Sequence, residues 1–229
     1  MDKDYIVSLA STLDVNLTTS QAEALCRYYE MVVESNKAFN LTAITDEKDF
    51  AVKHIADSLA GVSEIPSGAK LCDIGSGAGF PSMPIAIART DVSVTALDST
   101  AKKMTFVSQS AKALGIQNLS AIAGRAEEQK AQFTKFDVVT ARAVSALPIL
   151  LELAMPFLKV GGLFLAYKTD ESEIETSKNA MKVLGVKHLR TKFLNLPNGD
   201  KRAILVFEKI KPTPPQYPRV YGSIKKKPL

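Results

Sequence analysis

The chain is poor in the residues that metal and redox chemistry need. It has two cysteines and two histidines in 229 residues. They are widely scattered, so no zinc-ligand spacing exists. Cys26 falls in a helical pattern and Cys72 in a strand pattern, and both are expected to be buried free thiols, as in a reducing cytosol. No apolar run approaches the ~20 residues of a membrane span. No basic-then-apolar leader opens the sequence. The expectation is a cytoplasmic protein with no metal and no membrane partner. Apolar residues make up 46%, an ordinary share for a globular protein, and the length suits one α/β domain with a helical extension. A net charge of +5 favours nucleic acid only weakly by itself. Where the cations sit matters more.

What is present centres on Lys70 to Ser82, KLCDIGSGAGFPS. Leu71 to Ile74 reads as a buried strand. Gly75, Gly77 and Gly79 then alternate, and Pro81 opens a helix. Glycines let backbone pass close to a ligand and take positive φ. Free amides and the helix dipole favour a negative group at such a corner. A dinucleotide fingerprint would put its third glycine on Phe80, which is too large for close helix–strand packing. The acid Asp73 followed by three alternating glycines looks instead like the first motif of S-adenosylmethionine-dependent methyltransferases.

Residues 1 to 66 read as helices, with Ser20 or Thr19 as the cap of a helix carrying Ala24, Leu25, Tyr28, Tyr29, Val32 and Val33 on one face. His54, Asp57 and Ser58 share a face of the next helix, where a lone histidine is usually structural. Residues 67 to 210 alternate strand and helix, which predicts a parallel sheet covered on both faces. The strands are Leu71 to Ile74, Val92 to Leu97, Leu119 to Ala123, Phe136 to Ala141, Leu163 to Tyr167, Val186 to Leu194 and Arg202 to Lys209. Helices are expected over Thr100 to Leu114, Pro148 to Leu158 and Glu171 to Leu184. Pro197 to Asp200 reads as a hairpin turn, so the seventh strand should run antiparallel to its neighbour. Residues 211 to 229, with five prolines and Lys225 to Lys227, form a tail that is either docked or disordered.

Ligands of open parallel sheets bind beyond the C-terminal strand ends. Here those ends carry the three glycines, then Asp98, then Gly124-Arg125-Ala126-Glu127, then Arg142, then Lys168. The strands themselves are nearly free of charge. Asp98 can accept from both ribose hydroxyls of a nucleoside, cap the helix from Thr100, or do both. Glu127 can accept from an adenine amino group while the Ala126 amide donates to a ring nitrogen; alternatively it is a first-turn helix acid. Asp73 either holds a ligand ammonium or ties down the glycine loop. Arg142 suits a carboxylate or a nucleic-acid phosphate, and Lys168 adds a second cation. Each has a surface salt bridge as its alternative. Lys102, Lys103 and Arg125 add positive charge to the same rim.

Two absences narrow the chemistry. No Asn-Pro-Pro-Tyr or Asp-Pro-Pro-Tyr follows the fourth strand, as exocyclic amine methylation would require. Neither cysteine is placed as a pyrimidine C5 nucleophile. Guanine N7 needs neither: its lone pair is free and carries no proton, so alignment in a dry pocket suffices.

The runs NKAFNLTAIT (Asn36 to Thr45), HIADSL (His54 to Leu59), LCDIGSGAGFPSMPIAI (Leu71 to Ile87), LDSTAKK (Leu97 to Lys103), GRAEE (Gly124 to Glu128) and FDVVTARAVSAL (Phe136 to Leu147) occur in that order. Together they resemble the ribosomal RNA small-subunit methyltransferase G family, also called glucose-inhibited division protein B, over about residues 20 to 210. The resemblance implies a Rossmann-like class I methyltransferase fold with a seven-stranded, mostly parallel sheet. It implies N7 methylation of one guanine in bacterial 16S ribosomal RNA, with S-adenosylmethionine as cofactor. It implies cofactor contacts at Gly75, Phe80, Ala126, Glu127 and Arg142, to which the strand-end pattern adds Asp73, Gly77 and Asp98. The partner it implies is 16S ribosomal RNA or the assembling small subunit, and a monomer is the expected form. Ser82, Thr169 and the run Pro218 to Gly222 depart from the family pattern. A non-catalytic RNA-binding assembly factor and a small-molecule methyltransferase are the other functions considered.

Overall fold

The computed structural model describes residues 1–229. Two helices open the chain, α1 (Lys3–Ser11) and α2 (Thr19–Asn36). The cap of α2 is Thr18, not Ser20 or Thr19. Its hydroxyl accepts from the Gln21 amide while the Gln21 side chain accepts from the Thr18 amide, and only Thr18 stands three residues ahead of a Gln. The Gln21 amide nitrogen also donates to the carbonyls of Ile87 and Ala88, which ties α2 to the helix after the glycine turn. Next come α3 (Glu47–Phe50) and α4 (Asp57–Leu59), joined by a wide π-helical stretch, Ala51–Ala56. Asp46 caps α3 by accepting from Lys48 and Asp49.

The sheet holds β1 (Lys70–Ile74), β2 (Ser93–Asp98), β3 (Leu119–Ala123), β4 (Phe136–Arg142), β5 (Leu158–Lys168), β6 (Val186–Asn195) and β7 (Lys201–Lys209). Its order is β3-β2-β1-β4-β5-β7-β6. β7 slots between β5 and β6 and is antiparallel to both, and the other pairs are parallel. The fold is therefore the mostly parallel seven-stranded α/β sheet that the sequence predicts. The order reverses between β1 and β4, so a crevice opens where the chain leaves the sheet in opposite directions.

The connections are α5 (Ser82–Ala88), α6 (Ala101–Leu114), α7 (Leu147–Ala154), α8 (Glu173–Thr176), α9 (Lys178–Leu184) and α10 (Tyr221–Lys226). Two expected elements differ. The helix expected over Glu171 to Leu184 breaks at Ser177, whose side chain turns back to the Glu173 carbonyl. The fifth strand starts at Leu158, and Val160-Gly161-Gly162 forms an irregularity inside it rather than a helix stop. Gly161 takes a φ of 84°, which lets the extra residues loop out without losing the strand.

Period-two alternation splits the strand side chains between two cores. On one face Leu71, Val94 and Val138 pack with Ile6, Leu25, Tyr28, Met83 and Val107, so the N-terminal helices share a core with the sheet. On the other, Cys72, Ile74 and Val139 pack with α7, α9 and Ile224 of α10. The tail is thus docked.

The buried Tyr28 hydroxyl donates to the Ala78 carbonyl inside the glycine turn. Gly79 beside it has a φ of 82°, and a Cβ there would lie 2.5 Å from the Tyr28 oxygen. Gly79→Ala is therefore expected to destabilise the protein by about 2 kcal/mol or more. Urea denaturation should show the midpoint falling at constant slope; an unchanged midpoint would remove this account of the turn.

Candidate active site

The end of β2 builds the site. The Leu97 carbonyl accepts from the amides of both Gly75 and Ser76, at 2.8 and 3.0 Å. The Asp98 carboxylate accepts from the Gly77 amide at 3.0 Å and the Thr100 amide at 2.8 Å. The Asp98 carbonyl accepts from the Gly124 amide at 2.9 Å. One dipeptide thereby fixes the loops after β1, β2 and β3. Gly75 and Gly77 have φ of 72° and 58°, so the turn follows a path that L side chains resist.

A cleft of about 480 Å³ opens there. Gly75, Gly77 and Ala78 form its floor, with Asp98 and Lys103 on one side and Gly124 to Glu127 on the next. Phe80, His54 and Leu41 close the helical side, and Arg142 and Val144 come from the end of β4. Of the twelve residues that the sequence singles out, Gly75, Gly77, Phe80, Asp98, Lys103, Arg125, Ala126, Glu127 and Arg142 line this one space.

Three do not. Asp73 is 0% exposed and turned under the turn: it accepts from the Thr140 hydroxyl at 2.9 Å and the Ser82 amide at 3.2 Å. Those two contacts are the tying role: they join the end of β1 to β4 and to the start of α5 behind the glycine turn. Burial raises its pKa to about 6, against the pull of those hydrogen bonds. Lys168 stands off the cleft, paired with Glu173 at 2.7 Å and donating to the Ser145 carbonyl. Lys102 is exposed on the first turn of α6, outside the lining.

Arg142 is held by residues that the sequence does not pair with it. Its Nη1 donates to Asp57 at 2.8 Å and to the Lys53 carbonyl at 2.8 Å, and its Nη2 donates to His54 Nδ1 at 3.1 Å. Arg202 of β7 donates to the other Asp57 oxygen at 2.9 Å. Asp57 is nearly buried, with a side chain 7% exposed, between two guanidinium groups. Removing it would leave paired cations without a counter-charge, a loss of about 3–5 kcal/mol. The Arg142 guanidinium also lies 5.7 Å from the Phe80 ring centroid, and the His54 ring stacks on Phe80 at 4.4 Å. Guanidinium only donates, so His54 Nδ1 is an acceptor and Nε2 carries the proton, which it gives to Thr42 Oγ1 at 2.7 Å. The arginine thus keeps donors for the cleft while its far side is saturated.

Chemically, the cleft offers two carboxylates, a set of backbone amides, an apolar wall and a fixed cation. Asp98 keeps lone pairs beyond its two backbone bonds, enough for a ribose diol. A Cβ on Gly77 would meet nothing nearer than the Gly75 carbonyl at 4.0 Å, so the floor is open to close approach. The turn starting at Ala126 leaves its first amides without intrahelical acceptors. This set fits a nucleoside carrying an amino-acid tail, the shape of S-adenosylmethionine.

Comparison with known proteins agrees. The family model for rRNA small subunit methyltransferase G matches residues 21–204. The chain belongs to the rRNA small subunit methyltransferase G family. A family member from Streptococcus pyogenes serotype M3, named ribosomal RNA small subunit methyltransferase G, is 43% identical over 93% of this chain and 94% of its own. One of the same name from Streptococcus thermophilus is 42% identical over 99% of each. Among solved structures, M. jannaschii TYW2 in complex with AdoMet superposes with a TM-score of 0.57 at 17% identity, over 69% of this chain and 76% of that one. The [4+2]-cyclase SpnF superposes at 0.59 and 15% identity, over 86% and 98%. These two establish the class I methyltransferase fold and no more.

Burial and the Arg142 charge hold the His54 pKa down to about 3, from an ordinary 6.5. A lowered histidine pKa means that the unfolded chain takes up the proton first. Stability from this group is full above pH 6.5 and lost as pH falls toward 3. Asp73, with its pKa raised, works the other way and adds stability as pH falls through 6. Comparing His54→Gln with the parent cancels the Asp73 contribution. The pH slope of unfolding free energy between 6.5 and 5 should be less positive in the variant than in the parent; parallel slopes would mean that His54 is charged in the folded protein.

Proposed function

We propose that this protein methylates N7 of a guanine in 16S ribosomal RNA, using S-adenosylmethionine bound across the ends of β1 to β4. The observation that carries the reading is the convergence of Gly75, Gly77, Asp98, Ala126, Glu127 and Arg142 on one cleft of a chain belonging to this family.

The cofactor supplies an electrophilic methyl group on a sulfonium. The protein does the rest by position. Asp98 accepts from the ribose hydroxyls. Glu127 accepts from the adenine amino group while the Ala126 amide donates to the ring. Arg142, braced by Asp57 and His54, takes the amino-acid carboxylate. Phe80, Leu41 and Val144 keep water from the reacting face. Guanine N7 presents a free lone pair, so no side chain must remove a proton, and none in the cleft is assigned that task. Alignment and desolvation supply the rate.

The RNA meets the cleft at its positive rim, Lys103 and Arg125, with Lys102 and Lys168 further out. We place the reaction in the cytoplasm and assign the working form as a monomer. Two buried free thiols, Cys26 and Cys72, support a reducing compartment, and no helix is long and apolar enough to cross a membrane.

Two measurements test this. Incubating the protein with labelled S-adenosylmethionine and 16S ribosomal RNA, or assembling small subunits, should place the label on N7 of a single guanine. Cofactor binding without transfer would favour a non-catalytic assembly factor instead. Asp98→Ala should raise the KM for S-adenosylmethionine about tenfold or more, the scale of losing hydrogen bonds to a charged group. Transfer to RNA should also weaken steeply with added salt, since phosphate contacts release counterions. Salt-insensitive turnover on a small substrate would point to a small-molecule methyltransferase.

A further inference from the structure

The chemistry proposed for the cleft uses no residue beyond Arg202, yet the chain runs on to Leu229 and returns to the cleft. Its anchor is Arg219. The Arg219 backbone amide and Nε each donate to one oxygen of Glu152 at 2.9 Å, and Nη2 donates to the other at 2.6 Å. Glu152 is 0% exposed in α7, a helix whose other residues are almost all apolar. A carboxylate in that place is costly unless it is paired and fully hydrogen-bonded, and Arg219 does both. A second anchor, Ile224, is buried in the core on the α7 face of the sheet.

Between the anchors stands Tyr221. It lines the cleft beside Arg125, Ala126, Glu127 and Leu153. The Arg125 guanidinium lies over its ring, 5.5 Å from the centroid, so a cation sits against one face.

We infer that Tyr221 is a cofactor-binding residue: with Arg125 stacked on it, it walls the Glu127 end of the cleft, and the Arg219–Glu152 pair holds it there. This rests on the reading that S-adenosylmethionine binds with its adenine at Glu127. A flat aromatic ring with a cation behind it offers apolar area to a planar base at little entropic cost. The tail is therefore part of the cofactor site.

Calorimetry with S-adenosylmethionine, joined to methyl-transfer kinetics on 16S ribosomal RNA, tests it on the full chain. Tyr221→Ala should raise the cofactor Kd and KM about fivefold, leaving kcat and the KM for RNA within about twofold. Tyr221→Phe keeps the ring and should behave as the parent. Arg219→Ala strands a buried charge, so it is paired with the double variant Arg219→Ala/Glu152→Leu, which removes both charges. The double variant should repeat the Tyr221→Ala shift. If the parent binds the cofactor and Tyr221→Ala binds it equally well, the inference falls while the methyltransferase reading stands. A loss confined to RNA affinity would overturn it as well, making the tail an RNA arm. A parent that binds no S-adenosylmethionine would overturn both.

Discussion

Everything near the cleft depends on the last two residues of β2. Leu97 and Asp98 accept five hydrogen bonds from the loops after β1, β2 and β3. Glycine turns at positive φ are entropically expensive to order. Here the cost is met by acceptors that the parallel sheet already holds in register, Ile74 against Leu97 and Asp98 against Ala123. In the proposed function the carboxylate that orders the turn also meets the ribose, so that structure and binding would share one side chain.

The second constraint comes from outside the sheet. Asp57 on α4 draws in Arg142 from β4 and Arg202 from β7. The ion cluster locks the helical extension onto the sheet and fixes one wall of the cleft. Buried ion pairs of this kind are weak evidence for stability but strong determinants of geometry. His54 fits the same logic. Its ring stacks on Phe80, and its neutral form accepts from Arg142, which an imidazolium with both nitrogens protonated could not do. On the opposite side, Glu152 and Arg219 repeat the device for the C-terminal tail. The cleft is thus bounded by a sheet edge and two flanking segments, each tied down by a carboxylate–guanidinium contact.

How much of this the sequence carries depends on the range of the contact. The strands and their polar ends are legible because apolar runs stop at glycine or charge, and the ends converge by topology alone. Asp98, Glu127 and Arg142 follow from that. The Asp57–Arg142 pair does not, because its partners lie 85 residues apart and no local pattern links them. Asp57 does share a helix face with His54 in the sequence, which is half of the signal. Asp73 is a different case: a ligand contact and a tie for the glycine turn are both open to it in the sequence, and what ties it down includes Thr140, 67 residues away, which no local pattern links to it. The docking of the tail rests on Arg219, the buried Ile224 and the partly buried Tyr217, Tyr221 and Leu229, whose spacing among five prolines follows no regular period.

The most direct test of the central claim is a crystal structure of the protein with S-adenosylmethionine. The account predicts density in the crevice between β1 and β4, with the ribose hydroxyls within hydrogen-bond distance of the Asp98 carboxylate and the base lying along Ala126 and Glu127. Density elsewhere on the protein, or a ligand in the crevice with Asp98 left to its backbone partners alone, would contradict it.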